Sequence, residues 1–394
     1  MSGGPTTVWL PAGRHLDLAA VAGDDGFLFE REGVGLAATG LDRKVAATDA
    51  SRLVASLGPD AMAVGALPFR RAELGWLAVP ELIVRRRADG AVSATTTDGR
   101  APLRLLEAVL GRAADRDRQE EPDAFSLTSS MSHADWRHLV EAATKEIDNG
   151  HFDKVVLARE VEVMANRPIV LGPVIDRLRA LYPSCTTFAV DGFVGASPEL
   201  LVSRVGHDVR SHPLAGTVAR SGDPEVDRRV AEGLLASAKD RAEHRLVVEA
   251  VAEVLAAACD ELIVPPAPSI VSLRNVVHLG TEISGRLRHP SPSALELALA
   301  LHPTPAVGGT PTDVAVTYLD DEEGLDRGRY AGPVGWVDGH GDGEWVVGIR
   351  SADIDGARAR LRAGVGIVAG SDAEAELAET QLKLQALLSA VVRP

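Results

Sequence analysis

Short runs of β-branched and apolar residues, each cut off by Gly, Pro, Asp or Asn, fill the first quarter of the chain. Between about Phe27 and Thr97, the segments FLFEREG, MAVGALPF, LGWLAVPELIVRR and GAVSATTT read as strands joined by turns. Pro102 to Leu110 has the spacing of a short amphipathic helix. Arg112 to Asp123 (RAADRDRQEEPD) is polar and charge-dense, contains Pro122, and reads as a linker. A helix is expected from Ser132, which has capping-box spacing to Asp135, as far as the stop signal Asn149-Gly150.

Lys154 to Val163 (KVVLAREVEV) has the two-residue period of a strand. It places Val155 and Leu157 on one face and Lys154, Val156 and Ala158 on the other. Further strands are expected at Thr186 to Val190, Glu199 to Arg204 and Glu344 to Ser351. One long helix is expected from Pro224 to Ala258, and a final one from Asp372 to Val392. Helices and strands mix without strict βαβ alternation, which predicts an α+β fold with antiparallel sheets.

Composition narrows the function classes. The chain has 394 residues, 45% hydrophobic and 25% charged, with a net charge of −15. That field repels nucleic acid and anionic membrane, so neither is expected as a partner. An anionic ligand would need positive charge supplied locally. Two cysteines, Cys185 and Cys259, make neither a disulfide framework nor a CxxC metal site. The first fifteen residues lack a basic patch followed by an apolar run, and no apolar stretch of about 18 residues is free of charge. A cytoplasmic location is expected.

Several motifs fail on inspection. The glycine-rich segment Gly364 to Gly370 has its third glycine one residue late for GxGxxG, and no GK[ST] follows. Glycines ahead of a helix, with Ser371 and Glu374 at capping-box spacing, still suggest an anion site there. Ser197 in GASPE mimics a nucleophile elbow until Glu199 takes the required glycine position. His244 and Glu249 do not form HExxH.

Two helices carry a more specific pattern. Asp240 and Glu243 are three apart in SAKDRAEH, as are Glu376 and Glu379 in EAELAET, so each pair shares a helix face. Ordinary surface charge explains either pair alone, helped by Lys239–Glu243 and Glu379–Lys383 spacings of four. Convergence of all four carboxylates would instead make an all-oxygen Mg²⁺ site. Lys154, on the face of Val156 and Ala158, suits a general base, and Glu199 at a strand start suits an acid. A snorkelling lysine and an edge glutamate are the plain alternatives. Arg350 is expected on the strand face of Val346 and Gly348, placed to grip a carboxylate through two hydrogen bonds.

Read together, these segments resemble a known family. KVVLARE, GASPELLVS, PLAGT, SAKDRAEH, HLGTEISGRL, LHPTPAVGGTP, RYAGPVGW, VVGIRSADI, AGVGIV and AELAETQLKL occur in an order similar to that of the chorismate-utilising enzymes. This family includes the isochorismate, salicylate, anthranilate and aminodeoxychorismate synthases, and the chain most resembles the isochorismate synthases. The resemblance implies one domain over residues 1–394, with 1–111 adding strands, 112–123 as a polar connection and 124–394 carrying most motifs. Two stacked large antiparallel β-sheets ringed by helices are implied, with chorismate as substrate and Mg²⁺ as cofactor; nothing in the sequence demands a partner subunit, so a monomer is expected.

Position by position, the resemblance implies that Lys154 is the base that activates water and Glu199 the acid. Glu243 and Glu379 match direct Mg²⁺ ligands, and Asp240 and Glu376 match carboxylates that hold metal-bound water. Tyr330, Arg350, Lys383 and the N–H groups of Gly364 and Gly366 match contacts to substrate carboxylates. His278 matches a histidine near the ring, and Ala215, Gly216, Thr217 and Ala306 match the substrate pocket. Ala215 stands where aminodeoxychorismate synthases carry a nucleophilic lysine, and FLFERE replaces the tryptophan-sensing segment of anthranilate synthases. Ala306 stands where salicylate synthases tend to have Thr, with salicylate synthesis as the alternative. A relative that binds the dianion without turning it over is a further alternative, against which the intact Lys154, Glu199 and four carboxylates argue.

Overall fold

The computed structural model describes residues 5–11, 16–41, 43–47, 49–73, 75–116 and 120–392. Two large sheets dominate, and every strand pairing in them is antiparallel. The larger has twelve strands. From one edge it runs Thr6–Trp9, Val92–Thr96, Leu82–Arg86, Val34–Thr39 and Phe27–Arg31. It continues through Thr186–Val190, Phe193–Ser197, Ser351–Asp355, Arg358–Ile367 and Lys154–Ala165 to Gly309–Thr310, with Phe125–Ser129 also paired to Lys154–Ala165. Strands from the first hundred residues therefore hydrogen-bond directly to strands from the rest of the chain, as Phe27–Arg31 does to Thr186–Val190.

The second sheet has nine strands and includes Asp208–His212, Leu200–Val205, Gly343–Val347, Pro333–Asp338 and Met62–Ala66. Phe27, Phe29, Phe188 and Phe193 from the first sheet pack with Met62, Val64, Val334, Trp336 and Val346 from the second. The sheets are thus stacked, and removing these large apolar faces from water holds them together. Outside the first sheet, helices Leu171–Leu181 and Ala373–Val391 bury apolar stripes that include Val174, Leu178, Leu384 and Leu387. A smaller sheet of Leu214–Ala219, Val276–Gly280 and Ser269–Ser272 stands at the side of the site described below. Among the described residues, no helix is long and apolar enough to cross a membrane.

Four local expectations need correction. The helix predicted for 102–110 runs on through Arg116, so the first five residues of the proposed linker are helical; 117–119 lie outside the described residues. Glu120 and Glu121 then bind Arg167 and Arg177, anchoring the end of that stretch.

The long helix predicted for 224–258 is two helices, Pro224–Ala236 and Ala238–Ala258. Ser237 is extended between them, and its hydroxyl accepts from Asp240 N, so a serine that reads as helix interior acts as an N-cap. The strand predicted for 344–351 ends at Val347. Arg350 lies off any strand, with φ of +50°, where the chain passes from one sheet to the other.

The glycine-rich segment is not a loop opening a helix. Gly364 and Gly366 belong to the strand Arg358–Ile367. The final helix is capped by Asp372, which accepts from Ala375 N, while the Ser371 hydroxyl accepts from Val368 N. The predicted Ser371–Glu374 capping box is therefore absent.

Candidate active site

One cavity, partly open to solvent, is lined by all sixteen residues that the resemblance assigns to catalysis, substrate or metal. Lys154 enters from the first residue of its strand, where Asp153 N donates to Thr310 O at 2.7 Å, and its side chain is 1% exposed. The Nζ lies 2.8 Å from Glu243 Oε1. Directly across the ladder, Gly366 opposes Val156. A Cβ at Gly366 would lie 2.3 Å from Glu243 Oε1 and 2.8 Å from Lys154 Cε, so only glycine leaves room for this pair.

The four carboxylates do approach the cavity from two helices. Asp240 and Glu243 lie in the first two turns of Ala238–Ala258, and Glu376 and Glu379 in the first two of Ala373–Val391. The break at Ser237 starts a new helix just before the first pair. Three of the four meet a lysine: Glu243 meets Lys154, Glu379 meets Lys383 at 2.8 Å, and Glu376 meets Lys239 at 3.4 Å. Burial and the neighbouring Glu379 charge push Glu376 above the usual carboxylate range, outweighing Lys239. Gly216, at φ of +74°, lets the backbone come close to Asp240, whose Cβ would be 3.3 Å from an added methyl.

Glu199 follows Ser197-Pro198 and is almost fully buried. Burial pushes its carboxyl up to about 7, against the Leu214 N–H and the charges of Lys154, Lys383 and Arg350. A large fraction is therefore protonated at neutral pH, as an acid catalyst requires.

On the remaining wall, Arg350 Nη2 donates to His278 Nε2 at 2.6 Å. A guanidinium only donates, so Nε2 carries the lone pair and the proton sits on Nδ1, 3.3 Å from Gly216 O and 3.1 Å from Thr217 Oγ1. Burial and the charges of Arg350 and Lys383 hold His278 well below its ordinary value, which keeps it neutral. Arg350 Nη1 is buried without a hydrogen-bond partner. A donor so placed in a cavity wall is left for a ligand acceptor. Burial pushes the Tyr330 hydroxyl up to about 12, leaving a neutral phenol that faces the Gly364 N–H. Lys383 Nζ donates to Gly364 O at 2.9 Å. Of the strand Arg358–Ile367, only residues 358–361 pair with Ser351–Asp355, so the same edge further on, at Gly364 and Gly366, is left beside the cavity.

Ala215, Gly216 and Thr217 come from the small sheet, and Ala306 from the segment before Gly309–Thr310. Sequence reasoning missed Arg327 and Arg362, which also line the cavity. Lys239, read from the sequence only as a neighbour of Glu243 at a spacing of four, lines it too and meets Glu376 instead. Arg327 and Arg362 stand outside the matched segments and have no spacing that marks them.

The family described as chorismate binding enzyme matches residues 77–392. Isochorismate synthase DhbC of Bacillus subtilis is 39% identical over 341 residues, covering 84% of this chain and 80% of its own. The solved structure of MenF, the menaquinone-specific isochorismate synthase from Escherichia coli, superposes with a TM-score of 0.83 at 28% identity. That match covers 98% of this chain and 94% of MenF. Anthranilate synthase component I from Streptococcus pneumoniae shares the fold at a TM-score of 0.70 and 20% identity, over 98% of this chain and 92% of its own.

Proposed function

The chain belongs to the chorismate-binding enzymes, and on that premise we propose that it isomerises chorismate to isochorismate. The observation that carries the proposal is that Lys154, from a strand of the first sheet, and Glu199, from the segment that joins the two sheets, line one cavity, with the Glu199 carboxyl pushed up to about 7. Lys154 takes a proton from water as the water oxygen bonds to C2 of the ring. Glu199 donates its proton to the departing C4 hydroxyl, the ring double bonds shift, and water leaves. One water enters and one departs, so the atoms of the product equal those of the substrate. Arg350 Nη1, the Tyr330 hydroxyl and the Gly364–Gly366 edge hold substrate carboxylate, which fixes the ring between base and acid.

A divalent cation suits the opposite wall. Asp240, Glu243, Glu376 and Glu379 are hard oxygen donors, and the raised Glu376 reflects negative charge crowded in a buried place. Among the described residues, no group of three or more acidic, cysteine or histidine side chains forms a ready cage. Mg²⁺ does not need one, because it commonly takes one or two carboxylates and completes its shell with water and substrate. Glu243 and Glu379 would hold the ion directly and Asp240 and Glu376 through water. When bound, it would neutralise and orient the ring carboxylate.

The test is incubation of purified protein with chorismate and Mg²⁺, followed by separation of products. Isochorismate alone is expected. Salicylate with pyruvate would replace this reading with salicylate synthesis, and binding without turnover would end it.

A further inference from the structure

Glu323 and Arg327 are both buried and joined by two hydrogen bonds, Nε to Oε2 at 2.7 Å and Nη2 to Oε1 at 2.6 Å. Their place in the molecule is unusual. On the edge of the Lys154 strand that faces away from Arg358–Ile367, Gly309–Thr310 pairs with Val155 and Lys154, and Phe125–Ser129 pairs from Val161 onward, with a gap between them. Val156 N still reaches Gly308 O at 2.9 Å. The next two polar groups along that edge are met by side chains instead. Arg327 Nη2 donates to Val156 O at 2.5 Å, and Ala158 N donates to Glu323 Oε1 at 2.7 Å. A neighbouring strand would offer one donor and one acceptor to these groups, and the ion pair supplies both.

The same residue reaches two further walls of the cavity: its guanidinium Nη1 donates to Val307 O at 2.8 Å, and its backbone carbonyl accepts from Tyr330 N at 2.9 Å in a turn. The guanidinium plane lies over the Phe69 ring, 4.4 Å from the centroid. Stability alone does not require such a pair, since well-packed apolar residues often replace a buried ion pair without loss. We infer that Glu323 and Arg327 form a positioning unit for the reaction, one that holds Lys154 in register with the Val307 wall and with Tyr330. This rests on the isomerase reading proposed above, but its geometry is independent of it.

Two variants test the inference, Glu323→Gln and the apolar double variant Glu323→Leu/Arg327→Met. Steady-state kinetics, circular dichroism and hydrogen exchange are measured on each. Folded variants should lose kcat on the order of 10²-fold, the cost of a small misplacement of a reacting group, with KM changed by less than about threefold. The Ala158 amide should exchange at least about tenfold faster, while Leu82–Arg86 keeps its protection. A merely structural pair would lower stability throughout and leave the kcat of the folded fraction intact. Wild-type kcat in a folded variant, or an unchanged Ala158 exchange rate, overturns the inference. Should the double variant not fold, Glu323→Gln decides. If the wild-type protein does not turn over chorismate, the isomerase reading falls, and Ala158 exchange alone decides this one.

Discussion

The two walls of the cavity hold their charges by opposite means. The acidic wall is helical, and Glu243, Glu376 and Glu379 are met there by the lysines Lys154, Lys239 and Lys383. Those contacts run from side chain to side chain, and Lys239 and Lys383 are partly exposed. The wall around Arg350 is fixed through the backbone. Arg350 sits at a left-handed kink, leans on His278, and His278 in turn leans on Gly216 O. Side-chain pairs can exchange partners when a cation or substrate arrives, whereas a buried arginine that must meet a carboxylate at one angle needs rigid support. The walls therefore suit different tasks in the proposed reaction.

The largest effects should come from the two groups placed between these walls. Lys154→Ala and Glu199→Gln should each lower kcat by roughly 10²–10⁴-fold, the usual weight of a general acid or base. Measurement of isochorismate formation checks this, and near wild-type turnover in Lys154→Ala would sink the assignment. Chelation of Mg²⁺ should abolish turnover reversibly, with activity restored by adding the ion back.

Glu199 also links activity to stability. Its carboxyl titrates near 7 when folded, against 4.5 ordinarily. The folded state therefore keeps an extra proton between those values, and this contribution to stability is lost as pH rises from about 4.5 through 7. Glu199→Gln removes the titration. Its stability relative to wild type should rise between pH 4 and pH 8 by on the order of 3 kcal/mol, read by urea unfolding at both pH values. The wild-type kcat should fall as pH climbs above about 7, because the acid is then spent.

Smaller effects should separate the walls. Arg350→Lys should keep the charge but lose the fork, raising KM by about tenfold or more, with kcat changed less. His278→Phe, which leaves Arg350 Nη2 without its acceptor, should act in the same direction. Asp240→Asn on the acidic wall should cost least, about threefold in the Mg²⁺ concentration needed for half activity, since a water-mediated contact tolerates an amide. Equal losses on both walls would refute the distinction between them.

Much of the site was legible because helical spacing is local. Asp240 with Glu243, and Glu376 with Glu379, share faces by the 3.6-residue period alone, and Lys154 shares a face with Val156 by the period of two. Arg350 was found for its chemistry but placed on the wrong element. Its positive φ arises where the chain crosses between sheets, and an arginine gives no sign of that. The helix break at Ser237 was hidden because serine is neutral in a helix until its hydroxyl finds a backbone N–H to accept from. Arg327 was missed because its partners, Val156, Val307 and Glu323, are spread over 168 positions and share no period.

What the amino-acid sequence determined by itself is the alternation that makes the strands, the stripes and caps that make the helices, and the residue types able to carry acid, base and carboxylate chemistry. These follow from short-range sterics and periodicity. Only the tertiary structure decided that four carboxylates on two distant helices face one lysine-lined cavity, that Glu199 loses enough water to stay protonated near neutral pH, and that His278 keeps a lone pair for Arg350. The reason is physical: desolvation and through-space charge depend on neighbours brought from far along the chain, and no local pattern encodes them.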